Sequence, residues 1–200
     1  MGTVCMDGAP TLVDTPKQAR VDARTNRERV LVAARDAFTV SGGTSLTAIA
    51  KQAGVGIGTL YRHFPNRESL IVALYRHDIQ ELIDLAPTLR DRHPPLTALR
   101  LWFDEVARYG QLKYGVAEVI HAATNGGLDD EYYRPFVGAI GALLEQGVAA
   151  GTLKPDLDPE DVLLQLSVLW RINPENGGAE RAARILDLIV DGLQVNPQSD

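Results

Sequence analysis

The stretch SLTAIAKQAGVGIGTLYRHF, Ser45–Phe64, places three glycines in five residues between two short apolar segments. Leu46, Ile49, Ala50 and Ala53 recur at helical spacing behind Ser45, a good N-cap residue. Gly54 stands where a helix closes with a left-handed step. A second short segment runs from Ile57 to His63, and Pro65 ends it by disfavouring helical geometry at Phe64.

Two readings compete for these glycines. A dinucleotide-binding loop needs G-x-G-x-x-G after a strand inside a βαβ unit. Here the spacing is G-x-G-x-G, the preceding segment has helical period, and no G-x-x-x-x-G-K-[ST] occurs. A helix–turn–helix needs a short helix, a tight turn containing Gly and a second helix, and all three are present. On that reading Gly54 makes the turn, Gly56 opens the second helix, and Gly58 thins its leading edge. Thr59, Tyr61, Arg62 and His63 then supply donors for phosphate oxygens and base edges. Leu60 and Phe64 fall on the apolar side and are expected in the core.

Upstream, Thr25-x-x-Glu28 reads as a capping box that starts a helix, and residues 1–22 read as a disordered tail. Val30, Leu31, Ala34, Ala37 and Phe38 form the apolar stripe of that helix, and Gly42-Gly43 end it. Downstream, Asn66 caps a helix carried by Leu70, Ile71, Leu74 and Leu82 to about residue 85. Three prolines then mark residues 85–95 as a connector. Further helices are expected over about 96–111, 116–124, 131–150, 159–171 and 179–193, the fourth opening on Asp158-Pro159-Glu160. No alternating strand pattern and no internal repeat appears, so the class is all-α with about nine helices. The expected division is a tail at 1–22, a helix–turn–helix domain at 23–70 and a helical body at 71–200.

The net charge of −6 conceals an asymmetry. Residues 23–70 hold seven Lys/Arg against three Asp/Glu, while residues 71–200 hold eleven against twenty. That is the pattern of a small basic nucleic-acid reader joined to an acidic body. No apolar run reaches 18 residues, so no membrane span is expected. The N-terminal residues lack a basic then apolar pattern, so no secretory leader is expected either. The sole cysteine, Cys5, allows no intrachain disulfide, which points to the reducing cytoplasm. No Ser/His/Asp set, activated cysteine or metal-ligand spacing occurs, so no enzyme activity, cofactor or metal is expected.

The run TNRERVLVAARDAFTVSGGTSLTAIAKQAGVGIGTLYRHFPNRESLI, residues 25–71, resembles the DNA-binding domain of the tetracycline-repressor (TetR) family. The match includes A-x-x-A-F, I-A-x-x-A-G-V and G-x-L-Y-x-H-F-x-N-[KR]-E-x-L. Many members have Ser where this chain has Gly56, which removes a side-chain cap. The resemblance implies a bacterial homodimer that binds a roughly palindromic double-stranded operator, usually as a repressor, and a second domain that senses a small molecule. Carried over by position, it implies Thr47 holding phosphate, and Ile57, Gly58 and Thr59 facing base edges. Tyr61 and His63 would touch the backbone, Arg67 would pair with phosphate, and Arg62 joins them as a further cation.

Residues 95–195 weakly resemble one class of the family's C-terminal domains, which form a ligand-binding and dimerisation unit. The candidate ligand-binding residues are Trp102, Phe103, Tyr109, His121, Tyr133, Phe136 and Trp170, with Val116 beside them. Glu118 and His121, three apart, are read as a satisfied pair rather than a metal site. The last two helices carry apolar stripes, Val162, Leu166 and Leu169, then Ala182, Leu186, Ile189 and Val190, expected to form a two-fold dimer interface, an intrachain core, or both. A regulator tuned by a protein partner is the competing reading: an enclosed cavity in the body favours a ligand, a solid core the partner.

Overall fold

The computed structural model describes residues 16–40, 43–123, 130–175 and 177–195. Among them are eight α-helices: α1 (Pro16–Val40), α2 (Leu46–Ala53), α3 (Ile57–His63), α4 (Arg67–Arg92), α5 (Pro95–Ala123), α6 (Asp130–Ala149), α7 (Pro159–Leu166) and α8 (Gly178–Leu193). A 3₁₀ turn, Ser167–Arg171, follows α7. Helices α1–α3 form the N-terminal head, α5–α8 form the body, and α4 belongs to both. One apolar core runs through them, from Val30, Ile49 and Leu60 to Trp102, Leu143 and Leu186.

Several boundaries follow from local chemistry. The Ser45 side chain accepts from Ala48 N, and Gly54 takes the left-handed conformation at φ 64°, ψ 36°. Asn66 and Ser69 cap α4 reciprocally, the Ser69 hydroxyl doing what Glu or Gln does in the usual capping box. Asp158 accepts from Glu160 N, with Pro159 in the first turn of α7.

Other boundaries differ from expectation. Helix α1 begins at Pro16, ahead of the Thr25–Glu28 box and inside the expected tail; residues 1–15 lie outside the described residues. Proline is at ease in a first turn, and Lys, Gln, Ala and Arg follow it as good helix formers. Glu28 consequently caps nothing and instead accepts from Arg24 Nε at 3.0 Å. The expected stop at Gly42 also lies outside the described residues. The connector at 85–95 shrinks to His93 and Pro94, because α4 continues through Pro87 to Arg92. Buried Ala86 and Leu89 hold that last stretch against the body despite the hydrogen bond that Pro87 cannot make. The helices expected at 96–111 and 116–124 are one, α5. Gly110 passes without a break because its missing side chain lets α5 lie against the 3₁₀ turn. A Cβ there would stand 3.0 Å from Trp170 Cδ1 and 3.3 Å from the Leu169 carbonyl oxygen. The division at 70/71 therefore falls in the first turns of α4, a helix that is continuous from head to body.

The head is tied to α4 by charge as well as by packing. Arg35 of α1 donates from Nε to Asp78 Oδ1 at 3.0 Å, also pairs with it through Nη2, and reaches Glu81 Oε2 at 2.5 Å. Asp78 is 6 % exposed, the one charged residue in the described core. Its burial raises its pKa above the usual carboxylate value, against the opposing pull of Arg35. For Arg35 burial acts downward, and the hydrogen bonds and charges of Asp78 and Glu81 outweigh it.

Removing one member of such a pair strands the other. Arg35→Ala is expected to cost about 2–4 kcal/mol in urea unfolding, whereas Arg35→Met with Asp78→Leu recovers most of that. A single variant within 0.5 kcal/mol of the parent, roughly the noise of such data, contradicts the assignment. The sign with pH is set by the raised pKa of Asp78. The folded state holds this proton more tightly, so its contribution is present at low pH and is lost as pH rises through the raised value. The deficit of Arg35→Ala therefore shrinks on acidification into the carboxylate range.

Candidate nucleic-acid interface

The turn between α2 and α3 is closed by its own backbone. Gly54 N donates to Lys51 O at 3.1 Å and Val55 N to Ala50 O at 3.0 Å. Arg29 of α1 reaches the Gly54 carbonyl at 3.5 Å, bracing the turn from behind. Gly56 opens α3 in an extended conformation with no side-chain cap, so α3 begins on backbone bonds from Thr59 and Leu60 to the Gly56 carbonyl. A seven-residue helix is marginal alone. It persists because Leu60 and the following Phe64 are buried, with Arg27 stacked over the Phe64 ring at 5.6 Å.

Burying that side of α3 turns the opposite side outward. Ile57, Gly58, Tyr61 and Arg62 are exposed, Tyr61 by 48 %, and Thr59 and His63 are half-buried. Thr47, in the first turn of α2, is exposed beside them. Six of the eight nucleic-acid candidates thus lie along α3, with Thr47 just N-terminal on α2. Arg62 folds back along its own helix, donating to the Gly58 carbonyl at 3.4 Å and to Thr59 Oγ1 at 3.1 Å. Open space surrounds the position of a Gly58 Cβ.

Arg67 is engaged differently from the rest. It donates to the Thr44 carbonyl at 2.5 Å and stacks over the Phe38 ring, 4.6 Å from its centroid. Its guanidinium therefore locks α1, α4 and the start of α2 together. Nothing in the residue pattern named Thr44 for this; a threonine ahead of an N-cap reads as loop. Arg35 and Asp78 were missed for the opposite reason. Each interrupts an apolar helical stripe, Asp78 between Leu74 and Leu82, and an ion inside such a stripe was the available signal.

The candidate ligand residues do not converge. Trp102, Phe103 and Phe136 are buried and pack ring to ring, Trp102 to Phe136 at 5.2 Å. Trp102 Nε1 donates to the Leu82 carbonyl at 2.8 Å. Tyr133 and Trp170 are half-buried, and His121, like Glu118, is exposed on α5. Tyr109 lines a small cavity, together with Val116. Among the described residues no group of three or more His, Cys, Asp and Glu comes together, and no helix is long and apolar enough to cross a membrane.

Residues 30–74 match the family described as bacterial regulatory proteins, tetR family, and residues 94–195 match the C-terminal domain of SbtR-like transcriptional regulators. A TetR transcriptional regulator of Streptomyces coelicolor superposes with a TM-score of 0.73 at 35 % identity, covering 84 % of this chain and 98 % of its own. The chain belongs to the TetR family. A TetR regulatory protein from Mycobacterium vanbaalenii is 31 % identical, with a TM-score of 0.69 over 88 % of this chain and 99 % of its own. Helix-turn-helix transcriptional regulators of Staphylococcus aureus are 28 % identical over 109 residues, 53 % of this chain. The match spans 59 % of the length of those curated relatives. This TetR protein is therefore a DNA-binding transcriptional regulator, of a family that is not a class of enzymes.

Two glycines of the head should respond oppositely to the same change. Gly54→Ala puts a side chain at φ 64° and 2.5 Å from Arg29 Nη2, and is expected to lower stability by about 1–2 kcal/mol. Gly58→Ala meets nothing and is expected to raise it by up to ~1 kcal/mol, while weakening DNA binding. Thermal unfolding read beside DNA affinity checks both; a destabilised Gly58→Ala contradicts this account.

Proposed function

We propose that this TetR-family protein is a repressor that binds a palindromic operator as a homodimer and is released by a small molecule. The observation that carries the DNA-reading part is α3, whose Leu60 side is buried while Ile57, Gly58, Tyr61 and Arg62 face solvent on the basic head. In this reading Thr47, Tyr61, Arg62 and His63 contact phosphate and sugar, and Thr59 supplies the polar base contact. Ile57 offers apolar contact to thymine methyls, and Gly58 admits a close backbone approach. Arg67 acts chiefly by holding Thr44 and α2 in place. A DNA-binding regulator without a membrane span works in the cytoplasm.

The partner surface is the outer side of α7 and α8. The expected stripes, Val162, Leu166 and Leu169 with Ala182, Leu186, Ile189 and Val190, are buried within the chain itself. A second set points out: Leu164 is 71 % exposed and Leu188 73 %, with Val168 between. A groove of about 320 Å³ runs between the helices, lined by Gln165, Val168, Ile185, Leu188 and Ile189. Exposed leucines flanking a groove fit a second copy of the same face across a two-fold axis. Such a dimer sets its two reading helices about 34–36 Å apart on successive turns of B-DNA.

Selection of bound sites from random duplexes tests the reading, with a palindrome whose affinity falls steeply with salt as the expected result. Tyr61→Ala is expected to weaken that binding by about tenfold, ~1.4 kcal/mol, with an unchanged far-UV spectrum. Leu188→Glu, at an exposed position, is expected to yield a folded monomer in light scattering that no longer holds the full site. A parent chain that scatters as a monomer at micromolar concentration contradicts the dimer.

A further inference from the structure

Helix α1 is tied to α4 at two levels. At the start of α4, Arg67 donates to the Thr44 carbonyl and stacks over the Phe38 ring, 4.6 Å from its centroid. Asp78 lies eleven residues further along the same helix, about 16 Å at 1.5 Å per residue. There Arg35 donates from Nε to Asp78 Oδ1 at 3.0 Å, and from Nη2 to both Asp78 and Glu81. Glu81 is held from its other side as well, with Oε1 3.3 Å from His77 Nε2. One acceptor of this fork is buried and the other, a turn away, is exposed.

A single tie leaves one helix free to pivot on another, whereas two ties well separated along the axis fix the tilt. The second tie here is also the directional one. Apolar contact is roughly proportional to buried area and has no direction, so it tolerates a small slide. A hydrogen bond weakens steeply outside a narrow range of length and angle. A planar guanidinium that must meet acceptors on two successive turns of α4 accepts few placements of α1. In a two-fold dimer both heads move together. B-DNA rises about 3.4 Å per base pair, so a shift of about 1.7 Å in each head changes the span between them by one base pair. A restraint of hydrogen-bond precision on each head is fine enough to separate neighbouring spacings.

We propose that the fork of Arg35 on Asp78 and Glu81 determines which spacing between half-sites this protein accepts. The three are positioning residues: they hold the tilt of α1 on α4, and with it the place of α3, without contact to DNA. The proposal rests on the reading of the chain as a dimer on a palindromic site. A buried ion pair adds little stability over an apolar substitute, and fixing register is its best-attested use. A head released from the fork reaches more than one spacing, and it must be ordered on binding, which lowers affinity for the matched site.

Duplexes carrying the selected palindrome, with single base pairs added to or removed from its centre, test this in fluorescence anisotropy on the full chain. The parent is expected to bind its own spacing at least about tenfold more tightly than either neighbour. Arg35→Met with Asp78→Leu is expected to keep the parent's far-UV spectrum and dimeric scattering, and to narrow that preference to about threefold or less. Glu81→Ala, a change at an exposed residue that leaves the Asp78 bond in place, is expected to fall between the two. A double variant that binds every spacing more weakly by one common factor overturns the proposal, because a merely structural pair lowers affinity without changing the preferred spacing. If the double variant does not fold, Glu81→Ala decides, and an undiminished preference there overturns the proposal. A sharp parental preference that both variants keep overturns this assignment and leaves the palindrome reading standing. A parent with no preferred spacing overturns that reading and the assignment with it.

Discussion

The contact on which the arrangement of this molecule depends is the bond between Arg35 and the buried carboxylate of Asp78. Asp78 stands in the apolar stripe of α4, between Leu74 and Leu82, where a leucine would be expected from pattern alone. Burial raises the Asp78 pKa against the pull of Arg35, and a buried pair of this kind adds little net stability over an apolar substitute. What it adds is direction. An apolar contact tolerates sliding, whereas an arginine bonded through two nitrogens to one carboxylate and through one of them to Glu81 fixes both the height and the rotation of α1 on α4. Since α4 continues unbroken into the body, that angle also fixes where α3 points.

The head is thus a small assembly held by cations engaged within the protein itself. Arg29 braces the Gly54 turn, Arg27 stacks on Phe64, Arg35 clamps α4, and Arg67 joins Phe38 to Thr44. Four of the seven Lys/Arg in residues 23–70 are therefore occupied inside the domain. Its positive charge still attracts phosphate at long range, because a stacked arginine keeps its field, although Asp78 and Glu81 offset that of Arg35. In the proposed reading, sequence discrimination comes from a narrower set on α3, where Gly58 has no side chain and Arg62 lies back on Thr59.

The turn and its helices were legible because their determinants are local. Ser45, Gly54, Asn66 and Asp158 each act within four residues, and each is found capping or turning as its type dictates. The errors arose where distant packing overrode a local breaker. Residues 85–95 read as a connector and a break was expected between 111 and 116, yet Ala86 and Leu89 bury the one stretch and α5 runs through the other. The exposed side of α3 was readable because Leu60 and Phe64 fix its rotation. The packing of the candidate ligand residues was not. Aromatic rings at helical spacing look the same whether they line a space or fill one, and Trp102, Phe103 and Phe136 fill one. The small cavity that Tyr109 lines is made by three helices far apart in sequence, and its Phe38 belongs to the head.

In the proposed reading, the charge division gives the body a part in recognition without a base contact of its own. The body and tail together carry the acidic excess that makes the whole chain net −6, while residues 23–70 are net +4 by seven cations against three anions. Approach to a polyanion is then repulsive in most orientations and attractive in the one that leads with the head. The repulsion weakens non-specific association, which draws only on the electrostatic term. It weakens specific association less, because the groove contacts proposed for α3 do not depend on net charge. An acidic body thereby raises the ratio of specific to non-specific binding, and that ratio, rather than affinity alone, decides whether one site is found among many.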